Sequence, residues 1–271
     1  MNPFDTFLIN PILNVLIIIY VTLQRLGIPG ALGFSIIAIS ALIRLVLWPL
    51  TSAQLKSTQK MAALKPHLDR IKVEHGHDKV RHQQEVSKLY KEHGVNPMAG
   101  CLPLLLQLPV FIGLYNVLQQ VLAFDKAGFL SSINSRLYLP AFQLADKPDT
   151  SFIGYSLSTA PNQWGQVGFA ILLIPLVTGL LQLIQSKMMT PQATKALVKK
   201  ADQKPGMEDT MSQVQSQMTF IMPVMIAFFS YGFPVGLSLY WNTFTIVGII
   251  QQYIIAGPGA LNKYLPKSLQ K

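Results

Sequence analysis

Residues 31–55 read ALGFSIIAISALIRLVLWPLTSAQL, an apolar run with a single charge, Arg44. A helix rises about 1.5 Å per residue, so about 20 apolar residues cross a hydrocarbon core of ~30 Å. The run therefore predicts one membrane-spanning helix with an arginine inside it. Arg44 would lie about 20 Å from the start of the run and about 17 Å from its end at this rise, too deep for its side chain to snorkel out. A charge at a span centre costs about 2.5–3.5 kcal/mol on insertion scales. Arg44 is thus the residue that needs an explanation.

The rest of the chain shares this scarcity of charge. Of 271 residues, 13% are charged, about half the ~25% of an ordinary soluble domain. Half the residues are hydrophobic and the mean hydropathy is +0.36. That excludes a soluble globular protein, and it excludes disorder, which needs low hydrophobicity. The one cysteine, Cys101, excludes an intramolecular disulfide and a multi-cysteine metal site. Residues 6–24, 94–124, 150–186 and 210–262 also carry no Asp, Glu, Lys or Arg. They predict spans at 97–123, 164–186, 215–232 and 235–256. The last two are separated by the turn signal Gly232-Phe233-Pro234. The fold class expected is an all-α polytopic membrane protein with a five-helix core. The run 8–23 is interrupted by Asn10, Pro11 and Asn14 and is short for a span. It reads as an interfacial helix within residues 1–30, with a short sixth span as the alternative. No Lys or Arg precedes Arg25, which is unlike a cleaved signal peptide.

The formal net charge is +10, and its placement sets an orientation. Segment 56–93 holds nine Lys/Arg against five acids, segment 187–214 holds five against three, and the tail 257–271 holds three against none. Loop 124–163 is balanced, three against three. The positive-inside rule places the basic segments and the C-terminus in the cytoplasm. The plain reading of this charge is orientation and contact with anionic lipid; a sharper one adds ribosomal RNA or a nascent chain.

Segment 56–93 has its own pattern. Met61, Leu64, Leu68 and Ile71 make an apolar helical stripe, and Val80, Val86, Leu89 and Tyr90 suggest a second. Gly94 with Asn96-Pro97 ends the second helix, and Pro66 should kink the first. The segment reads as an amphipathic, antiparallel helical hairpin. All five histidines lie here, and neither His75 nor His77 belongs to a set with recognised metal spacing. No metal or cofactor is expected.

Arg44 has no acid to pair with, because all twelve Asp and Glu residues lie outside the spans. It should therefore face a hydrated cavity within the membrane. The alternative is bonding to loose backbone carbonyls near Pro49 or Pro223. Ser40 lies one turn before Arg44 on the same face. Gln182, Gln185, Trp241 and Asn242 could line such a cavity. The plainer readings are interhelical hydrogen bonds for the glutamines and packing for Trp241. The same lack of intramembrane acid and histidine disfavours a cation pathway, a proton relay and catalysis, and no phosphate-binding glycine loop is present. No enzyme is expected. A small transporter or channel using the cavity is the alternative, although no internal repeat links 31–123 to 164–256. A structural assembly partner without a groove is a further one.

Several stretches resemble the YidC-type membrane protein insertases. Gly33-Phe34-Ser35-Ile36-Ile37, Ile43-Arg44 and Trp48-Pro49-Leu50-Thr51 resemble the family's first core span. The run from Asn96 through Pro103, Gln107 and Pro109 to Phe111 resembles its second. Phe220-Ile221-Met222-Pro223 and the run Phe233 to Trp241 resemble the last two. The matches keep the family's order and cover roughly residues 31–256. The resemblance is to a bacterial member without a large extracytoplasmic domain. It implies insertion and folding of other membrane proteins, alone or beside the Sec translocon, in the bacterial plasma membrane. It also implies five helices around a hydrophilic groove, closed on the outer side. Arg44 takes the position of the family's arginine, with Ser40, Gln182 or Gln185, Tyr240 and Trp241 along the wall. The hairpin would receive nascent membrane proteins with short translocated segments, or the ribosome, through Lys56, Lys60, Lys65, Arg70 and Lys72. Nothing points to DNA as a partner.

Overall fold

A computed structural model describes residues 2–95, 102–124, 127–189 and 207–264, of which 102–107, 207–216, Lys65, Lys79, Lys263 and Tyr264 are described by backbone alone. The chain forms two compact units. The first comprises Met1–Leu47, Leu105–Leu181 and Val224–Val247; the second comprises Trp48–Leu104, Gln182–Pro223 and Gly248–Lys271.

The first unit starts with a π-helical turn, Asp5–Ile9, that runs into α1, Asn10–Arg25. Gly30 turns the chain in a left-handed conformation into α2, Ala31–Val46. Leu13, Leu16, Ile17 and Tyr20 repeat at helical spacing and are buried against Leu32, Ile36 and Ile39 of α2. Helix α6, Leu102–Leu122, adds Leu114, Val117, Leu118 and Val121 to this core. The helix from Asp5 to Arg25 is 21 residues long and by length and composition could cross a membrane. The apolar run appeared shorter because of Asn10 and Asn14. Both are buried, and both are satisfied by the loop after α7, Phe129–Asn134. Asn14 donates to Asn10 O (2.8 Å) and Arg136 O (3.0 Å) and accepts from Tyr138 N (2.6 Å). Arg136 donates to Asn10 Oδ1 at 2.9 Å and also to Gln120 Oε1. At the other end of α1, Arg25 donates to Ala141 O at 2.7 Å and stacks on Phe142.

Asn14→Leu should therefore release this loop. It strands the Arg136 carbonyl and the Tyr138 N–H, and buried groups left unpaired cost about 1–3 kcal/mol each. We expect a lower thermal midpoint in detergent and faster amide exchange at residues 136–142. Unchanged exchange there would remove Asn14 as the tether.

The loop continues through a two-residue hairpin, with β1, Ser151–Phe152, antiparallel to β2, Tyr155–Ser156. A short helix, α8, Trp164–Val167, and a 3-10 turn, Phe169–Leu172, lead into α9, Leu173–Met189. The expected span at 164–186 thus begins as short turns, and its long helix starts at Leu173. Together with the turn before it, this helix, Phe169–Met189, is a second element long and apolar enough to cross a membrane. Helices α10, Met207–Gly232, and α11, Val235–Ala256, flank the expected turn at Phe233-Pro234. The first N–H groups of α11 have no partner within their helix. The loop supplies them: Val235 N donates to Thr159 O and Gly236 N to Leu157 O, both at 2.8 Å.

The stretch 31–55 is not one helix. It breaks at Leu47, and α3 runs Trp48–Ala63. Pro49 is the physical reason, since it has no N–H for the carbonyl one turn back. In the second unit two helices form a hairpin. Helix α4, Lys65–His75, and α5, Lys79–Glu92, pack Leu64, Leu68 and Ile71 against Leu89 and Tyr90. Pro66 sits in the first turn of α4, so the chain breaks into separate helices there instead of kinking one. Val80 departs from the expected stripe and is 68% exposed. Asp78 caps α5 by accepting from Val80 N and Arg81 N. Gly94 (φ +60°) follows the end of α5, while Asn96-Pro97 and the rest of 96–101 lie outside the described residues. Elsewhere in this unit Gln59 donates to Ala256 O (2.8 Å) and Gln252 to Met188 O (3.3 Å), beside an open cavity of about 540 Å³.

Candidate functional site

The break at Leu47 changes the setting of Arg44. It occupies the last turn of α2, where the closing carbonyls of a helix favour a cation. Its guanidinium lies 4.5 Å from the centre of the Phe244 ring. An arginine over an aromatic face is attracted by the ring quadrupole, by about 0.5–2 kcal/mol depending on desolvation. Tyr240, one turn earlier on α11, interacts electrostatically with the same guanidinium. Tyr240 is 1% exposed, so this aromatic seat is fixed by the core.

The seat belongs to a larger aromatic cluster. Tyr240 and Phe244 are 6.0 Å apart. Phe111 of α6 stacks on Tyr240 at 6.5 Å and meets Trp241 edge-on at 5.3 Å. Arg44, Tyr240 and Trp241 are thus linked through Phe244 and Phe111. Phe244 was not anticipated. The available signal was the four-residue spacing from Tyr240, which puts both rings on one helical face.

The other expected residues are placed differently. Ser40 is fully buried, and its hydroxyl donates to Ile36 O of its own helix. It backs the core behind Arg44 and presents no surface. Gln182 and Gln185 lie on α9 within the second unit, both half-buried. Lys56 and Lys60 are exposed on α3, Arg70 is exposed on α4, and Lys72 is half-buried there. Lys65 opens α4, and its side chain lies outside the described residues. Asn242 Oδ1 is buried without a hydrogen-bond partner.

The cluster holds a permanent charge over the face of the Phe244 ring. Around it, Leu42, Leu45 and Val46 are 44%, 55% and 68% exposed. A fixed cation in apolar surroundings suits recognition of an anionic or strongly polar segment.

A family profile described as 60Kd inner membrane protein matches residues 24–260. The membrane protein insertase YidC of Fusobacterium nucleatum subsp. nucleatum is 32% identical over 231 residues, 85% of this chain and 89% of that one. The membrane protein insertase MisCA of Bacillus subtilis (strain 168) is 32% identical over 230 residues, covering 83% of this chain and 70% of the relative. YidC of Rickettsia rickettsii (strain Sheila Smith) is 34% identical over 84% of this chain, which spans only 36% of that longer protein. A crystal structure of active YidC insertase with its first transmembrane domain resolved superposes with a TM-score of 0.52 at 25% identity. The match covers 93% of this chain and 47% of that one. The chain belongs to the 60Kd inner membrane protein family, which includes the YidC and MisCA membrane protein insertases.

Proposed function

We propose that this protein inserts and helps fold other integral membrane proteins, with Arg44 facing a hydrated groove open to the cytoplasm. The observation that carries this reading is one cation held over the Phe244 ring and beside Tyr240, in the last turn of an apolar helix. A groove with one positive charge lowers the cost of drawing a short polar or acidic segment partway into the bilayer. The apolar helix of the substrate then leaves sideways into lipid, driven by burial of its own surface. The membrane potential adds work wherever charge moves. No nucleotide is required.

The core in this reading is residues 31–256 with five spans, the cytoplasmic hairpin 56–93, and a short basic cytoplasmic tail from 257. Helix α1 lies on the outer face. The loop bonds of Arg136 to Asn10 and of Arg25 to Ala141 support this placement. They hold the one short stretch 136–141 against both ends of α1. Lys56, Lys60, Lys65, Arg70 and Lys72 meet the arriving nascent chain, from the ribosome or the Sec translocon.

The test is water access. With Cys101 replaced, Arg44→Cys in membrane vesicles should react with a membrane-impermeant thiol reagent added on the cytoplasmic side. Failure to label, with a hairpin cysteine labelling normally, would mean that no groove reaches position 44. A transporter or channel would share this labelling. It would also move a solute in proteoliposomes that lack any substrate protein, and the insertase would not.

A further inference from the structure

The hairpin at residues 151–156 presents its least suitable residue to the outside. Ile153 has φ +47° and Gly154 φ +83°, so both central residues are left-handed. Such two-residue turns favour Asn-Gly, and a β-branched residue there is a steric outlier. Packing does not explain the choice, because the Ile153 side chain is 82% exposed. The base beneath it is firm. Phe152 is buried against Gly30 and Gly33 and meets Phe34 edge-on at 5.2 Å. Thr150 Oγ1 and Ser156 Oγ are bonded at 2.8 Å, as are Leu157 N and Thr150 O. Backbone strain is thus tolerated in order to hold an apolar tip away from the protein.

A second apolar feature lies further along the same loop. Trp164 and Phe169 stack at 4.8 Å, and Phe169 is 72% exposed. Beyond this pair, Leu173, Leu176 and Leu180 of α9 are exposed at helical spacing. No charged residue occurs from 150 to 186. Tryptophan at the end of an apolar helix marks a membrane–water interface.

We propose that Ile153 and the Trp164–Phe169 pair insert into the outer interfacial zone of the lipid bilayer and set the depth at which the outer loop rests. Lipid is the occupant because the chain runs from this pair directly into the exposed stripe of α9. This rests on the reading of α9 as a membrane span. The test uses the full chain lacking Cys101, with Ile153→Cys or Leu176→Cys carrying an environment-sensitive fluorophore, in phosphatidylcholine–phosphatidylglycerol vesicles. Both probes should be several-fold less quenched by iodide than free dye. The probe at 153 should be quenched more by a spin label near the headgroups than by one near the chain ends. A probe in water at 153 with one in lipid at 176 overturns the inference and leaves the membrane reading standing. Both probes in water overturn both. Shielding at 153 from iodide and from lipid spin labels alike means that protein covers the tip, and overturns the lipid assignment. Ile153→Asn, which relieves the turn, should keep or raise the thermal midpoint in detergent. A fall would show that Ile153 is retained for packing and would count against the proposal.

Discussion

Arg44→Ala should reduce insertion of a single-span substrate with an acidic translocated tail about tenfold in reconstituted liposomes, a rise of about 1.4 kcal/mol in the barrier. Bringing an acidic side chain to the bilayer centre costs about 2.5–3.5 kcal/mol. A unit charge at about 4 Å offsets up to about 4 kcal/mol at a surface-like effective dielectric, and less where water penetrates. Tenfold is therefore a conservative expectation for a hydrated groove. A substrate with a neutral tail should lose much less. Arg44→Lys should retain most of the activity, because an ammonium also sits favourably over the Phe244 ring. Phe244→Leu should fall between wild type and Arg44→Ala, since it removes the seat and keeps the charge. Undiminished insertion of every acidic substrate by Arg44→Ala would remove Arg44 from the mechanism. Equal losses for Lys and Ala would count against an electrostatic role and favour the fork geometry of the guanidinium.

What was readable in the sequence was what periodicity and charge encode locally. The hairpin α4–α5 was legible because Leu64, Leu68 and Ile71 sit at helical spacing within one short segment. The turn at Phe233-Pro234 was legible from its residues alone. The break at Leu47 was signalled by Pro49, but apolar continuity from 31 to 55 outweighed that signal. Polar residues in apolar runs were the hardest to read. Asn10 and Asn14 looked like interruptions of a span, and they are satisfied by Arg136 and Tyr138, more than a hundred residues later. Ser40 looked like a wall of the cavity, and it is satisfied by its own helix. Arg44 was identified by its cost, whereas its partner Phe244 lies two hundred residues away and is marked only by its four-residue spacing from Tyr240. Local patterns thus located the charge, and long-range packing determined what holds it.

Gly33→Ala separates these two levels by the sign of its effect. In a helix interior, replacing glycine with alanine ordinarily stabilises by about 0.5–1 kcal/mol. At Gly33 a Cβ would stand 2.1 Å from Phe152 Cδ2 and 2.4 Å from its Cγ, far inside contact distance. Phe152 is 7% exposed, so its ring has to leave the core or α2 has to shift. Overpacking of this kind costs about 1–3 kcal/mol, and full loss of a phenylalanine's burial about 1.5–3 kcal/mol. The net expectation is a destabilisation of about 2 kcal/mol in place of a small gain. It should appear as a lower thermal midpoint in detergent and as faster amide exchange across 150–157. Phe152→Ala alone should also destabilise, by about 3 kcal/mol for an emptied aromatic site. The double variant should be clearly more stable than the sum of the two losses, because the methyl group at position 33 then occupies part of the space the ring vacates. Additive losses would mean that the two residues do not share a contact. A stabilising Gly33→Ala would mean that the outer hairpin does not rest on α2 at all, and that helix propensity alone decides the position.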